Sequence, residues 1–179
     1  MTLRLAISLS AIAALSACAS VDATSGAPGR STIATASLIG ADGSSKGQAT
    51  LAAAGNAVAL RLEATGLPAG TLGTHLHMVG KCEPTGFTSA GGHLNPDAKQ
   101  HGTMNPLGSH LGDLPNMTVG ADGKGALTAT LHGSRAKVEA DLFDADGTAI
   151  VVHAGPDDYQ TDPAGNSGAR IACGVFTRT

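Results

Sequence analysis

The chain has 179 residues, with 11 basic and 14 acidic side chains, a formal net charge of −3 and an isoelectric point near 6.1. Such a mildly acidic balance leaves no general electrostatic reason to bind nucleic acid. Aromatic residues make up 2% of the chain and glycines number 25, and the apolar residues fall in short runs with a period of two.

In chain order, residues 1–17 come first. They carry one positive charge, Arg4, ahead of an apolar run of small residues from Leu5 to Leu15. The run is too short to span a bilayer and has the form of a secretory signal. It ends in Leu15-Ser16-Ala17-Cys18, which resembles the lipobox of bacterial lipoproteins, where the cysteine is acylated and becomes the mature N-terminus. Cys18 is therefore the expected lipidation site, and a membrane the expected partner of that lipid. Acyl chains contribute about 0.8 kcal/mol per buried CH₂, so a multiply acylated cysteine is a stable anchor. Residues 18–30, small and polar, read as a flexible tether. Ala19, where Asp often accompanies inner-membrane retention, favours the outer membrane within a periplasmic, cell-envelope location. Without its first 17 residues the chain is one charge more acidic and still long enough for one domain, residues 31–179.

Within that domain Val58, Leu60, Leu62 and Ala64 alternate with Ala59, Arg61 and Glu63, the pattern of a half-buried strand. Asp42-Gly43, Gly55-Asn56, Asp122-Gly123 and Asp146-Gly147 separate such runs, and each pair tolerates the positive φ of a tight hairpin. Strands are predicted over about 31–39, 47–54, 57–65, 72–78, 116–121, 126–132, 137–144, 148–153 and 171–177. Their spacing indicates an all-β antiparallel sandwich or barrel. Residues 79–115 and 154–170 break the rhythm and are rich in Gly, Pro, Asn, Asp and His. Structureless loops this long in a compact domain are either functional or evidence against the strand assignment, and here the histidines decide for function. Of three cysteines, Cys18 goes to lipid. Cys82 and Cys173 remain, and an exported chain meets an oxidising compartment, so the pair reads as a disulfide.

The seven histidines are the chemistry of the chain. His75 and His77 stand two apart on a predicted strand, so both imidazoles project from one face toward one ion. His93, His101, His110 and Asp113 add three imidazoles and a carboxylate within the first loop, a set suited to tetrahedral zinc. Imidazole suits copper as well, so residue type alone does not assign the metals. His132 has no ligand-like neighbour and reads as a strand-end histidine. Asp158 reads as an exposed loop carboxylate.

The run His75-Leu-His77-Met-Val-Gly80-Lys-Cys82, followed by Phe87-Thr-Ser-Ala-Gly91-Gly-His93-Leu-Asn-Pro96, resembles copper–zinc superoxide dismutases. So do His101-Gly102, Asn105-Pro106 and His110-Leu-Gly-Asp113-Leu, then Val151-Val-His153-Ala-Gly155-Pro-Asp157-Asp158 and Gly165-Asn-Ser-Gly-Ala-Arg170-Ile-Ala-Cys173. The short gap from His77 to Cys82 looks like the bacterial branch. The resemblance implies a Greek-key β-sandwich or flattened barrel with two long functional loops. It implies copper on His75, His77, His93 and His153, and zinc on His93, His101, His110 and Asp113, one ion of each per chain. His93 would bridge the two metals as an imidazolate. Asp157 would link His75 to His101, and Arg170 would stand over the copper opening and attract superoxide. Cys82 and Cys173 would pin the metal loop to the last strand. The activity implied is conversion of superoxide to dioxygen and hydrogen peroxide by Cu(II)/Cu(I) cycling, with His93 taking and returning a proton. Family members are often homodimers, and no interface pattern is readable here. Two other readings stand beside it: a non-catalytic copper- and zinc-binding envelope lipoprotein, and a structural sandwich domain on a lipid anchor. Thr74 departs from the family's frequent bulky aromatic, and the second loop is short, with acids mainly at Asp157, Asp158 and Asp162.

Overall fold

The computed structural model describes residues 30–179, so the readings for residues 1–17, for Cys18 and for most of the tether lie outside the described residues. Three long strands carry the alternation read from the sequence: β1 (Arg30–Gly40), β2 (Ser45–Ala54) and β3 (Ala57–Ala64). In β3 Val58, Leu60, Leu62 and Ala64 are buried while Arg61 and Glu63 are exposed. Next come β4 (Gly70–Leu72), β5 (Thr74–His77), β6 (Met117–Val119) and β7 (Gly125–Leu131). The chain ends in β8 (Ala149–His153), β9 (Arg170–Val175) and β10 (Thr177–Arg178). Asp42-Gly43, Gly55-Asn56 and Asp122-Gly123 join β1 to β2, β2 to β3 and β6 to β7, and each glycine has positive φ.

All strand pairs are antiparallel, in the order β4-β6-β7-β3-β2-β1-β9-β8-β5, with β10 against β1. β4 and β5 lie at opposite ends of this order, yet only Gly73 separates them in the chain. The sheet must therefore roll until its two ends meet, which gives the nearly closed barrel. Gly73 breaks what the sequence suggests is one strand over 72–78. Its N–H donates to Gly155 O at 2.7 Å and its carbonyl accepts from His153 N–H at 2.8 Å. A Cβ there would stand 2.8 Å from Ser167 Cβ, so the second loop can pack against the corner only because residue 73 is glycine.

The predicted strand at 137–144 is a helix, α1 (Arg135–Leu142). Val138 and Leu142 are buried, and their spacing of four satisfies a helix as well as a strand. Three local features select the helix. Ser134 caps it by accepting from Lys137 N–H, and the exposed side pairs Arg135 with Glu139 and Lys137 with Asp141. Asp146-Gly147 accordingly joins a helix, not a strand, to β8.

Aliphatic side chains fill the barrel, among them Leu38, Leu51, Leu60, Leu62, Leu76, Ile150 and Val152. β8 is buried along its whole length because it is covered on both faces. Ile150 and Val152 point into the barrel, whereas Ala149 and Val151 point outward into a second cluster with Phe87, Ala90 and Cys173. His75 pairs with Val151 and His77 with Ala149, so both imidazoles share this outer wall. The first loop covers it by adding main-chain bonds to β5: Leu94 N–H donates to Leu76 O at 2.8 Å, and Leu76 N–H to Gly112 O at 2.9 Å.

Candidate metal centre

His75 and His77 project from β5, and His153 ends β8 on the same outer wall. The first loop brings His93 opposite His77 and Asp113 opposite His75 through isolated strand bridges. It also carries His101 and His110. The result is two adjoining donor groups. His75, His77, His93 and His153 place one nitrogen each within 4.8 Å of one another, and so do His93, His101 and His110 with an oxygen of Asp113. His93 belongs to both.

The hydrogen bonds fix which nitrogen of each ring faces inward. A carbonyl can only accept, so the ring nitrogen bonded to one must carry the proton. His77 donates Nδ1–H to Gly91 O at 2.9 Å, His153 donates Nδ1–H to Gly168 O at 3.0 Å, and His110 donates Nε2–H to Lys99 O at 3.1 Å. Asp157 takes Nε2–H of His75 on one oxygen at 2.7 Å and Nε2–H of His101 on the other at 2.9 Å. What remains is a set of lone pairs. Nδ1 of His75 and Nε2 of His77, His93 and His153 are buried with no hydrogen-bond partner, and all four belong to the first group. Buried polar atoms are rarely left unpaired, and four converging orphans fit a single metal ion.

The second group is equally specific. Asp113 Oδ1 lies 3.0 Å from His93 Nδ1, 3.1 Å from His110 Nδ1 and 3.1 Å from His101 Nδ1. Metal bonds of about 2.0–2.1 Å in a tetrahedron would set ligand atoms roughly 3.3 Å apart, so the spacing fits zinc. The other Asp113 oxygen accepts main-chain N–H groups from Gly102 at 2.8 Å and His110 at 3.0 Å.

Burial sets the protonation of the first group. It pushes His75 down to about 3, His77 to about 2 and His153 to about 4, and it also lowers His93. These rings are neutral at ordinary pH, with lone pairs ready for a metal. At His101 burial works the same way but is outweighed by hydrogen bonds to Asp113 and Asp157, and its pKa rises to about 9. Burial acts against ionisation of both carboxylates, yet the histidine hydrogen bonds hold each well below the usual range.

Arg170 follows the second loop at the start of β9. Its guanidinium donates to Phe87 O at 2.8 Å and to Gly91 O at 2.7 Å, and it lines a cleft of about 470 Å³ with His77, His93 and His153. Cys173, three residues on, is bonded to Cys82. The disulfide and Arg170 therefore fasten the same stretch of the first loop to β9. Asp158 bonds only within its own loop, and His132 is exposed beyond β7. Sequence reasoning missed Asn116. Its amide donates to Asp157 O at 2.9 Å and accepts from Asp157 N–H at 2.8 Å, holding the carboxylate that joins the two groups. It also missed Met78 and Lys99, which line the cleft. Met78 directly follows His77, and that adjacency was its one available signal.

A rolled antiparallel barrel whose outer wall carries an all-imidazole group, sharing one ring with an imidazole–carboxylate group, defines a two-metal protein. Residues 45–176 match the model of the copper/zinc superoxide dismutase family. The chain is 43% identical over 145 residues to superoxide dismutase [Cu-Zn] 1 of Aquifex aeolicus, spanning 78% of this chain and 85% of that one. It is 42% identical over 149 residues to superoxide dismutase [Cu-Zn] of Caulobacter vibrioides, spanning 80% and 84%. Among solved structures, a SOD-like protein from Bacillus subtilis superposes with a TM-score of 0.76 at 37% identity, over 82% of this chain and all of that one. Cu/Zn superoxide dismutase from Brucella abortus gives 0.63 at 28% identity, over 80% and 98%. The chain belongs to the copper/zinc superoxide dismutase family.

Proposed function

We propose that the protein converts superoxide to dioxygen and hydrogen peroxide, holding copper on His75, His77, His93 and His153 and zinc on His93, His101, His110 and Asp113. The observation that carries this reading is the set of four partnerless, buried nitrogens that converge while the other nitrogen of His93 faces Asp113. When bound, copper supplies one-electron exchange with superoxide, which zinc, being d¹⁰, does not. The remaining work falls to the chain. Asp157, Gly91 and Gly168 orient three of the four imidazoles by accepting their N–H groups, so the lone pairs are set before an ion arrives. His93 is held at Nδ1 by the Asp113 side, and its Nε2 is the atom at which the chain can carry a proton to the reacting oxygen. Arg170 is pinned to two carbonyls beside the cleft, where its charge attracts an anion.

A protein that only stored metal would need neither a shared imidazole nor a cation at the opening, which disfavours the storage reading. The test measures bound metals and superoxide consumption on one purified sample, alongside His93→Ala. One copper and one zinc per chain with rapid consumption is expected, and the variant should uncouple the sites. Full activity with normal metal geometry in His93→Ala would overturn the bridging role.

The protein is further proposed to be exported through residues 1–17 and anchored in the cell envelope by lipid on Cys18. The sequence of that segment supports this, and a disulfide suits the oxidising compartment it implies.

A further inference from the structure

The cleft above the four-imidazole group has a soft donor on its rim. Met78 is 48% exposed and lines the same opening as His77, His93 and His153. Its side chain lies over Gly91 and Gly92. A Cβ at Gly91 would come within 3.1 Å of Met78 Cγ, and one at Gly92 within 3.9 Å of Met78 Sδ. The missing side chain at Gly91 thus leaves room for the Met78 chain, and a Cβ at Gly92 would only touch its thioether at ordinary contact distance. Met78 is so seated over the main chain leading into His93.

Below this rim the nitrogen donors are recessed: His77 is 1%, His93 7% and His153 3% exposed. Imidazole takes both zinc and copper, and although nitrogen donors favour Cu(II) over Zn²⁺ at equilibrium, nothing in four neutral nitrogens singles out Cu(I) at the point of entry. Nor do the charged groups at the opening. Lys99 and Arg170 repel any cation, and the Asp162 carboxylate already accepts the main-chain N–H of His101. A thioether is different. It is neutral, it is soft enough to favour Cu(I), and it is not among the usual ligands of Zn²⁺.

We propose that Met78 is a capture site for Cu(I), whose Sδ takes the ion at the mouth and passes it inward to the Nε2 atoms of His77, His93 and His153. The thioether gives the entry step a soft-donor preference for Cu(I) that the harder imidazole nitrogens do not supply. This inference rests on the reading of the four imidazoles as the copper site.

The test uses zinc-loaded, copper-free wild type, Met78→Leu and Met104→Leu. Met104 is 63% exposed and controls for a surface thioether elsewhere. Cu(I) is presented anaerobically as its bicinchoninate complex, and transfer is followed by loss of the chelate's colour. Met78→Leu should slow uptake roughly tenfold, which corresponds to about 1.4 kcal/mol in the barrier. Met104→Leu should track wild type, Cu(II) uptake should be equal in all three, and all should reach the same copper content. With methyl-¹³C methionine, Ag(I) as a closed-shell probe should shift the Met78 methyl resonance before that of Met104. Wild-type Cu(I) uptake by Met78→Leu, or equal slowing in both variants, would overturn the capture role and leave the copper site standing. Failure of wild type itself to take up copper would overturn both.

Discussion

Consider the bond between Cys82 and Cys173, which spans 91 positions. Replacing Cys82 by Ser and Cys173 by Ala leaves the folded loop with most of its attachments. Phe87 and Ala90 stay buried against Ala149 and Val151, and Arg170 still bonds the carbonyls of Phe87 and Gly91. The loss therefore falls on the unfolded chain, which regains the freedom of a large loop. Chain entropy for a loop of this length is worth about 4–5 kcal/mol. For a domain of this size each kcal/mol moves the midpoint by roughly 2–4 °C, so thermal unfolding of the variant should fall by about 8–20 °C. Alanine at 173 keeps the buried cluster free of an unpaired hydroxyl that would confuse the comparison. Urea unfolding of the metal-free proteins at neutral pH gives the free energies directly. A loss below about 1 kcal/mol would refute the reasoning, because a loop so long cannot be closed so cheaply.

Arg170→Ala should retain both metals and lower the second-order rate with superoxide on the order of tenfold at low salt, with a shallower dependence on ionic strength. Arg170→Lys keeps the charge and should keep the salt slope, and stopped-flow rates across a salt series distinguish the two. Stability of the metal-free protein should peak near pH 6.5. His75, His77 and His153 have folded pKa values below their ordinary 6.5, so their contribution is present above pH 6.5 and is lost progressively as pH falls from 6.5 through about 4 toward about 2. His101 has the opposite sign: raised to about 9, it contributes fully below pH 6.5 and loses that contribution as pH rises through about 9. Urea midpoints on chelator-treated protein should trace this asymmetric dome, steeper on the acid side, and a flat profile would contradict it. Cys18→Ser should release an active protein from membranes. Membrane partition of that variant, with no acyl mass on the wild type, would remove the anchor.

The barrel and part of the donor set were legible because their signals are local or nearly so, whereas His153 and Asp157, far along the chain, entered only through the family resemblance. Alternation in β3 and the turn pairs around it determine hairpins, and His75 and His77 share a face by strand geometry alone. Residues 137–144 misled for a physical reason: Val138, Ala140 and Leu142 alternate as a strand would, while the pairs that favour a helix lie on the exposed side. Gly73 split a strand because of contact with Ser167, far away in the chain. Asn116 was invisible for a similar reason. It acts on Asp157 across 41 positions, through main-chain atoms that leave no residue pattern.

The pairing of β5 with β8 also bears on how faithfully the chain assembles. His75 sits opposite Val151 and His77 opposite Ala149, with Leu76 and Ile150 turned to the other side. Slipping β5 by a single residue would turn both imidazoles into the oily interior and bring Leu76 out to the wall. A misregistered molecule would thus lose its core packing and its capacity for metal in the same error. Retention of metal by a folded molecule consequently reports that these two strands met in the correct alignment, a proofreading signal built into the pairing itself.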